Sequence, residues 1–138
     1  MRPLDADALP LAGTHLIEAS AGTGKTYTIA TLVLRLVVEA GLSIDHILVV
    51  TFTRAATAEL RDRIRRRLVA ALATADHGDD SDGDPAAARL TAAVRDFDTA
   101  PIFTIHGFCQ RVLQEFAFES GTGFEAALEE DDAALRRE

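Results

Sequence analysis

Leu16-Ile17-Glu18-Ala19-Ser20-Ala21-Gly22-Thr23-Gly24-Lys25-Thr26 decides how the rest of this 138-residue chain is read. Residues 15–19 read as a short strand. Residues 20–24 make a glycine-containing turn. Residues 25–40 predict a helix holding Ile29, Leu32, Val33, Leu34, Leu36, Val37 and Val38. It is apolar nearly all round, so it should be buried on most sides. Gly41 suits its C-cap.

The turn has a chemical reading. Residues 19–26 meet the pattern G-x-x-x-x-G-K-[ST], with Ala19 in place of the first glycine. Glycines at 22 and 24 let successive backbone N–H groups converge on phosphate oxygens. A helix beginning near Lys25 adds the positive end of its dipole. The Lys25 ammonium can reach β- and γ-phosphates, and the Thr26 hydroxyl can ligate Mg²⁺ carried by ATP. Ala19, Ser20, Ala21, Gly22, Thr23, Gly24, Lys25 and Thr26 are therefore the candidate ATP-binding residues, with Lys25 and Thr26 the catalytic candidates. Lys25 is also the only lysine in a chain that otherwise uses arginine.

Composition bounds the alternatives. The chain is 48% hydrophobic and 26% charged, ordinary globular material, so collagen-like and wholly disordered classes are excluded. One cysteine cannot form an internal disulfide, and no Cys/His cluster has zinc spacing. No apolar run approaches the roughly 20 residues needed to span a bilayer, and no signal-peptide pattern opens the chain, so the expected location is cytoplasmic with no membrane partner. The net charge of −8 argues weakly against non-specific nucleic-acid binding. The charge is uneven, however: residues 54–67 carry six arginines against Glu59 and Asp62, whereas residues 76–84 carry five aspartates and no cation.

Further along, residues 46–51 are a continuous apolar run that suits a parallel strand covered on both faces. Thr53 is a good N-cap for a helix over 54–75, with Leu60, Ile64, Leu68 and Leu72 as its core face. Glu59–Arg63 and Asp62–Arg66 are favourable i,i+4 pairs on the other side. Residues 76–85 read as a flexible acidic insert. Asp79, Asp80, Asp82 and Asp84 lack the terminal Glu and flanking helices of a calcium loop. Then come a helix over 86–97, a strand over 102–105 and a helix over 106–118 with Phe108, Val112, Leu113 and Phe116 facing inward. The order predicts an α/β fold, a doubly wound parallel sheet flanked by helices.

Two further segments carry a resemblance. Ile47-Leu48-Val49-Val50-Thr51-Phe52-Thr53-Arg54-Ala55-Ala56-Thr57-Ala58-Glu59-Leu60-Arg61 resembles motif Ia of UvrD-like superfamily 1 helicases. Phe103-Thr104-Ile105-His106-Gly107-Phe108-Cys109-Gln110-Arg111 resembles the T-x-H motif that follows it. With the phosphate loop, the three blocks stand in the family's order. Their details, together with Ala117-Phe118-Glu119-Ser120-Gly121, are similar to the branch that supplies the beta subunits of bacterial exodeoxyribonuclease V, the RecBCD helicase–nuclease. Arg54 departs from that branch, which has an acidic residue there.

The resemblance implies a P-loop, RecA-like fold, with residues 1–138 forming part of motor domain 1A. It implies a 3′-to-5′ DNA translocase using ATP and Mg²⁺, acting on DNA ends in double-strand break repair, with RecC and RecD as partner subunits. Carried over by position, Thr51, Phe52, Thr53, Thr104 and His106 would line a single-strand groove. Hydroxyls and strand-end amides suit phosphate, and an aromatic ring stacks on any base. From the residues alone Phe52 fits a core position as well as a stacking one, and His106 could cap its helix. Arg61 lies beside the apolar stripe and must snorkel or find an anionic partner. Arg65, Arg66 and Arg67 read as a solvated face, and Cys109 as a small buried apolar residue.

The acid that would hold Mg²⁺, the arginine sensors, a second motor domain and a nuclease domain have no counterpart here, so the sequence reads as an N-terminal fragment without unwinding activity. An AddA-type or other UvrD-like helicase, or a module that binds nucleotide without hydrolysing it, is the alternative.

Overall fold

A computed structural model describes residues 5–19, 22, 24–75 and 84–116. Four α-helices and two parallel strands follow one another as α1 (Lys25–Val38), β1 (Val49–Thr51), α2 (Arg54–Ala75), α3 (Pro85–Arg95), β2 (Ile102–Thr104) and α4 (Ile105–Glu115). Single 3₁₀ turns, Ile44–His46 and Phe97–Thr99, precede each strand. The strands pair in register, Val49 with Ile102, Val50 with Phe103 and Thr51 with Thr104. A parallel pair needs a long crossover, and here α2 and α3 supply it.

The core lies where α1, α2 and α3 meet β2. Leu60, Ile64 and Leu68 are spaced four apart on α2, so they stack on one face and are fully enclosed. Val33 and Val37 of α1, Leu90 and Ala93 of α3, Phe97 and Ile102 complete the cluster. Leu72 packs against its edge. The expected surface pairs form: Arg63 Nε sits 3.0 Å from Glu59, and Arg66 pairs with Asp62.

Helix ends follow capping chemistry. The Thr53 side chain accepts from Ala56 N–H at 3.1 Å. Asp84 accepts from Ala86 N–H with Pro85 at the first helical position, so the last two residues assigned to the acidic insert belong to the start of α3. Residues 76–83 of that insert lie outside the described residues, as does the segment after 116. At the far end of α1 the chain turns at Gly41, where Leu42 N–H donates to Leu36 and Arg89 Nη1 donates to the Val38 carbonyl at 2.7 Å.

Several expectations are corrected. Residues 15–19 form no strand; Leu16 is 88% exposed, and the described sheet has two strands and not three. A strand exists only through a paired ladder, and no described edge lies against this segment. β1 is shorter than the apolar run, because residues 44–46 take a 3₁₀ turn, and among the described residues it is covered on one face only. Val49 packs on the core while Leu48 and Val50, on the opposite side of the pleat, are exposed. α1 likewise buries one side, leaving Tyr27 and Ile29 open. α3 ends two residues early, and Phe97 reaches the core from the 3₁₀ turn instead. No residue of α4 is buried: Phe108 and Val112 are half-covered and Leu113 and Phe116 exposed. The apolar residues expected to face inward are thus not enclosed by the described residues. Cys109, expected to be a small buried residue, is exposed.

Arg35 ties the chain's start to α1. Its Nη1 donates to the carbonyls of Ala6 and Leu9 at 2.9 and 2.7 Å, while Nε and Nη2 hold the Glu39 carboxylate at 2.7 and 2.8 Å. These bonds use donors on all three guanidinium nitrogens, a geometry lysine cannot reproduce. The adjacent guanidinium holds the Glu39 carboxyl below its usual range.

Candidate functional site: a glycine turn and a threonine-lined sheet edge

The first part of the site is the turn before α1. Gly22 and Gly24 both have left-handed backbone, with φ of +78° and +85°. A side chain there would cost about 1–2 kcal/mol in backbone strain. Among the described residues it would meet nothing within 4 Å. α1 starts at Lys25 with no side-chain cap and no acidic residue in its first turn. Its leading N–H groups therefore carry the positive end of the helix without an internal anion.

Lys25 is exposed, and its Nζ donates to the Ala19 carbonyl at 3.1 Å, closing the turn on itself. Thr26 is half-buried in the first turn of the helix. Of the expected loop residues, Ala19, Gly22, Gly24, Lys25 and Thr26 are described, and Ser20, Ala21 and Thr23 lie outside the described residues. Curved backbone, uncapped helix amides and one ammonium suit a polyphosphate. Among the described residues no cluster of His, Cys, Asp or Glu could hold a metal by itself.

The second part is the C-terminal edge of the sheet. Because β1 and β2 are parallel and in register, Thr51 and Thr104 end side by side, and both strands release the chain into helices there. Such an edge is where open α/β sheets present ligand-binding groups. Thr51, Phe52, Thr53, Thr104 and His106 are therefore brought to one end of the sheet.

Phe52 is 79% exposed, so among the described residues it is no core residue. His106 is exposed in the first turn of α4 and does not cap it. That role belongs to Thr104, whose Oγ1 accepts from Gly107 N–H at 3.1 Å. The same contact explains the glycine: a Cβ at 107 would lie 3.1 Å from Thr104 Oγ1 and crowd the cap. Thr104→Val should remove the cap at nearly constant volume and cost about 1 kcal/mol. The measurement is the urea midpoint, expected to fall at unchanged m-value.

A third set of groups was not legible in the sequence. Thr57, one turn into α2, has its Oγ1 2.5 Å from Thr51 Oγ1 and donates to the Thr53 carbonyl at 3.0 Å. Thr51 Oγ1 also lies 3.1 Å from that carbonyl. The available signal was the spacing of hydroxyls at 51, 53 and 57.

The arginines of α2 divide. Arg61 turns inward and takes neutral partners, the carbonyls of Ala100 and Ile102 at 3.3 and 3.5 Å, instead of an anion. Arg65 lies over Phe97 and 3.7 Å from Asp98. Arg67 corrects the solvated-face expectation: its guanidinium stacks on Tyr27 at 4.4 Å and reaches the phenol oxygen at 3.3 Å. Arg65 and Arg66 keep surface ion pairs, with Asp98 and Asp62.

The family model of the UvrD/REP helicase N-terminal domain matches residues 4–137. The chain belongs to the UvrD/REP helicase family. Within it, the chain is 49% identical to the RecBCD enzyme subunit RecB of Escherichia coli (strain K12) over 96% of its own length. It is 42% identical to the same subunit of Haemophilus influenzae over 96%, and 43% identical to that of Mycolicibacterium smegmatis over 73%. It spans 13% of the length of the first two relatives and 10% of the third. An α/β fold with parallel strands flanked by helices agrees with a UvrD/REP helicase subdomain. No described helix is long and apolar enough to cross a membrane.

Proposed function

We propose that this chain is the nucleotide-binding part of motor domain 1A in a RecB-type 3′-to-5′ DNA translocase. It supplies the phosphate loop and one wall of a single-strand groove. The observation that carries the reading is that left-handed Gly22 and Gly24, an α1 N-terminus with no side-chain cap, and the exposed Lys25 stand together before α1.

Bound there, ATP with Mg²⁺ supplies the phosphoryl chemistry and the charge that the protein must balance. Gly22 and Gly24 let backbone amides approach the phosphates. Lys25 exchanges its bond to the Ala19 carbonyl for one to phosphate oxygen, and Thr26 offers its hydroxyl to the metal. At the sheet edge, Phe52 offers a ring face to a base, and Thr53, Thr104 and His106 offer polar groups to the backbone. In the complete protein, ATP state would be read out by closure against a second domain, moving the strand in steps.

In this proposal the complete protein works in the cytoplasm on DNA ends, with RecC- and RecD-type partners, in double-strand break repair. The test is ATP turnover by that complete protein with and without oligo(dT), alongside displacement of streptavidin from a biotinylated strand. Turnover stimulated by oligo(dT) and displacement from the 5′ end support the proposal. Turnover indifferent to DNA would leave a nucleotide-binding module in its place.

A further inference from the structure

The hydrogen bonds around Thr57 distribute roles among the three threonines of the turn. Thr51 and Thr57 have one hydroxyl proton each, and their oxygens are 2.5 Å apart. Both also lie within bonding distance of the Thr53 carbonyl. Whichever hydroxyl donates to that carbonyl, the other donates to its neighbour, so both protons are used inside the turn. Thr53 differs. Its Oγ1 accepts from Ala56 N–H, which leaves its own proton uncommitted in that bond.

The turn thus has a supported side and a presenting side. Thr57 and Thr51 are half-buried beneath it, while Phe52 and Thr53 are exposed above. The Thr57 N–H donates to the Thr53 carbonyl at 3.0 Å, and the Thr57 Oγ1 lies 3.0 Å from the same oxygen. The last residue of β1 is thereby fastened to the first turn of α2 across the residues that carry the ring.

We propose that Thr57 is a positioning residue for single-stranded DNA: its hydroxyl pins the 51–53 turn so that Phe52 and Thr53 face the strand, and Thr51 acts through this pin and not by touching DNA. This rests on the reading that the edge is part of a strand groove. The physical basis is pre-organisation. A turn of exposed residues with no covering element has several conformers open to it, and a ligand that needs one of them binds more weakly by the fraction lost.

The test is the affinity of fluorescein-labelled oligo(dT) for the complete protein, by anisotropy, with stoichiometric titration fixing the folded fraction of each variant. Thr57→Val removes the hydroxyl at nearly constant volume and should weaken binding about three- to tenfold, the range of one lost hydrogen bond. Thr57→Ser keeps the hydroxyl and should restore affinity to within about twofold. Thr51→Val should weaken binding as Thr57→Val does, and the double variant no further, since both remove one shared unit. Unchanged binding by Thr57→Val would overturn the proposal. So would equal losses for Val and Ser, or additive losses in the double variant, which would place Thr51 on the DNA itself. A wild-type protein that does not bind oligo(dT) would instead remove the groove reading, and the pin's role with it.

Discussion

Lys25→Ala in the complete protein is expected to lower DNA-stimulated ATP turnover by about 100-fold or more, the usual cost of removing one group that stabilises transition-state charge. Lys25 is the only lysine of the chain and stands at the first residue of α1, between the left-handed Gly24 and Thr26. Its ammonium reaches back to the Ala19 carbonyl, across the mouth of the turn that it would share with phosphate. The substitution should leave the core intact, because the side chain is exposed. A matched urea midpoint with lost turnover is therefore the expected pair of results. Turnover within threefold of the parent would remove Lys25 from the chemistry.

Ile64→Ala is expected to destabilise the fold by about 2–5 kcal/mol, the range for truncating a large side chain in a close-packed core. Ile64 has no exposed surface and sits between Leu60 and Leu68 on the face of α2 that packs against the core cluster. Val69, one residue past that face and 45% exposed, is the internal control: Val69→Ala should shift stability by no more than about 0.5 kcal/mol. Denaturant unfolding of both variants measures the contrast. Equal small losses would mean that the α1–α2–α3 cluster is not the core.

Helical and capping features were the legible part of the fold. The four-residue apolar repeat on α2 and the Thr53 cap depend on neighbours along the chain, and those neighbours are present, whereas α1, read as apolar nearly all round, buries one side only. The strands were harder to place. Residues 15–19 and the start of the 46–51 run have strand composition, but a strand requires a partner, and sequence composition carries no partner. α4 failed in a related way. Its stripe of Phe108, Val112, Leu113 and Phe116 was read correctly as apolar, but an apolar stripe does not name the surface that covers it.

At the candidate site, the glycines and Lys25 were legible because each residue type answers one demand of a phosphate. The Thr57 pin and the Arg67–Tyr27 stack were not, because each joins residues whose meeting depends on tertiary placement or rotamer. Arg67 and Tyr27 are 40 positions apart, so no local pattern could pair them.

The most direct measurement is an NMR titration of the isotopically labelled protein with Mg-ATP, following backbone amides. Saturable shifts are expected, concentrated at Gly22, Gly24, Lys25 and Thr26 and abolished by Lys25→Ala. Shifts confined to another surface, such as the hollow lined by Leu42, Asp45, Arg89 and Asp96, or no saturable shift at all, would contradict the phosphate-loop reading.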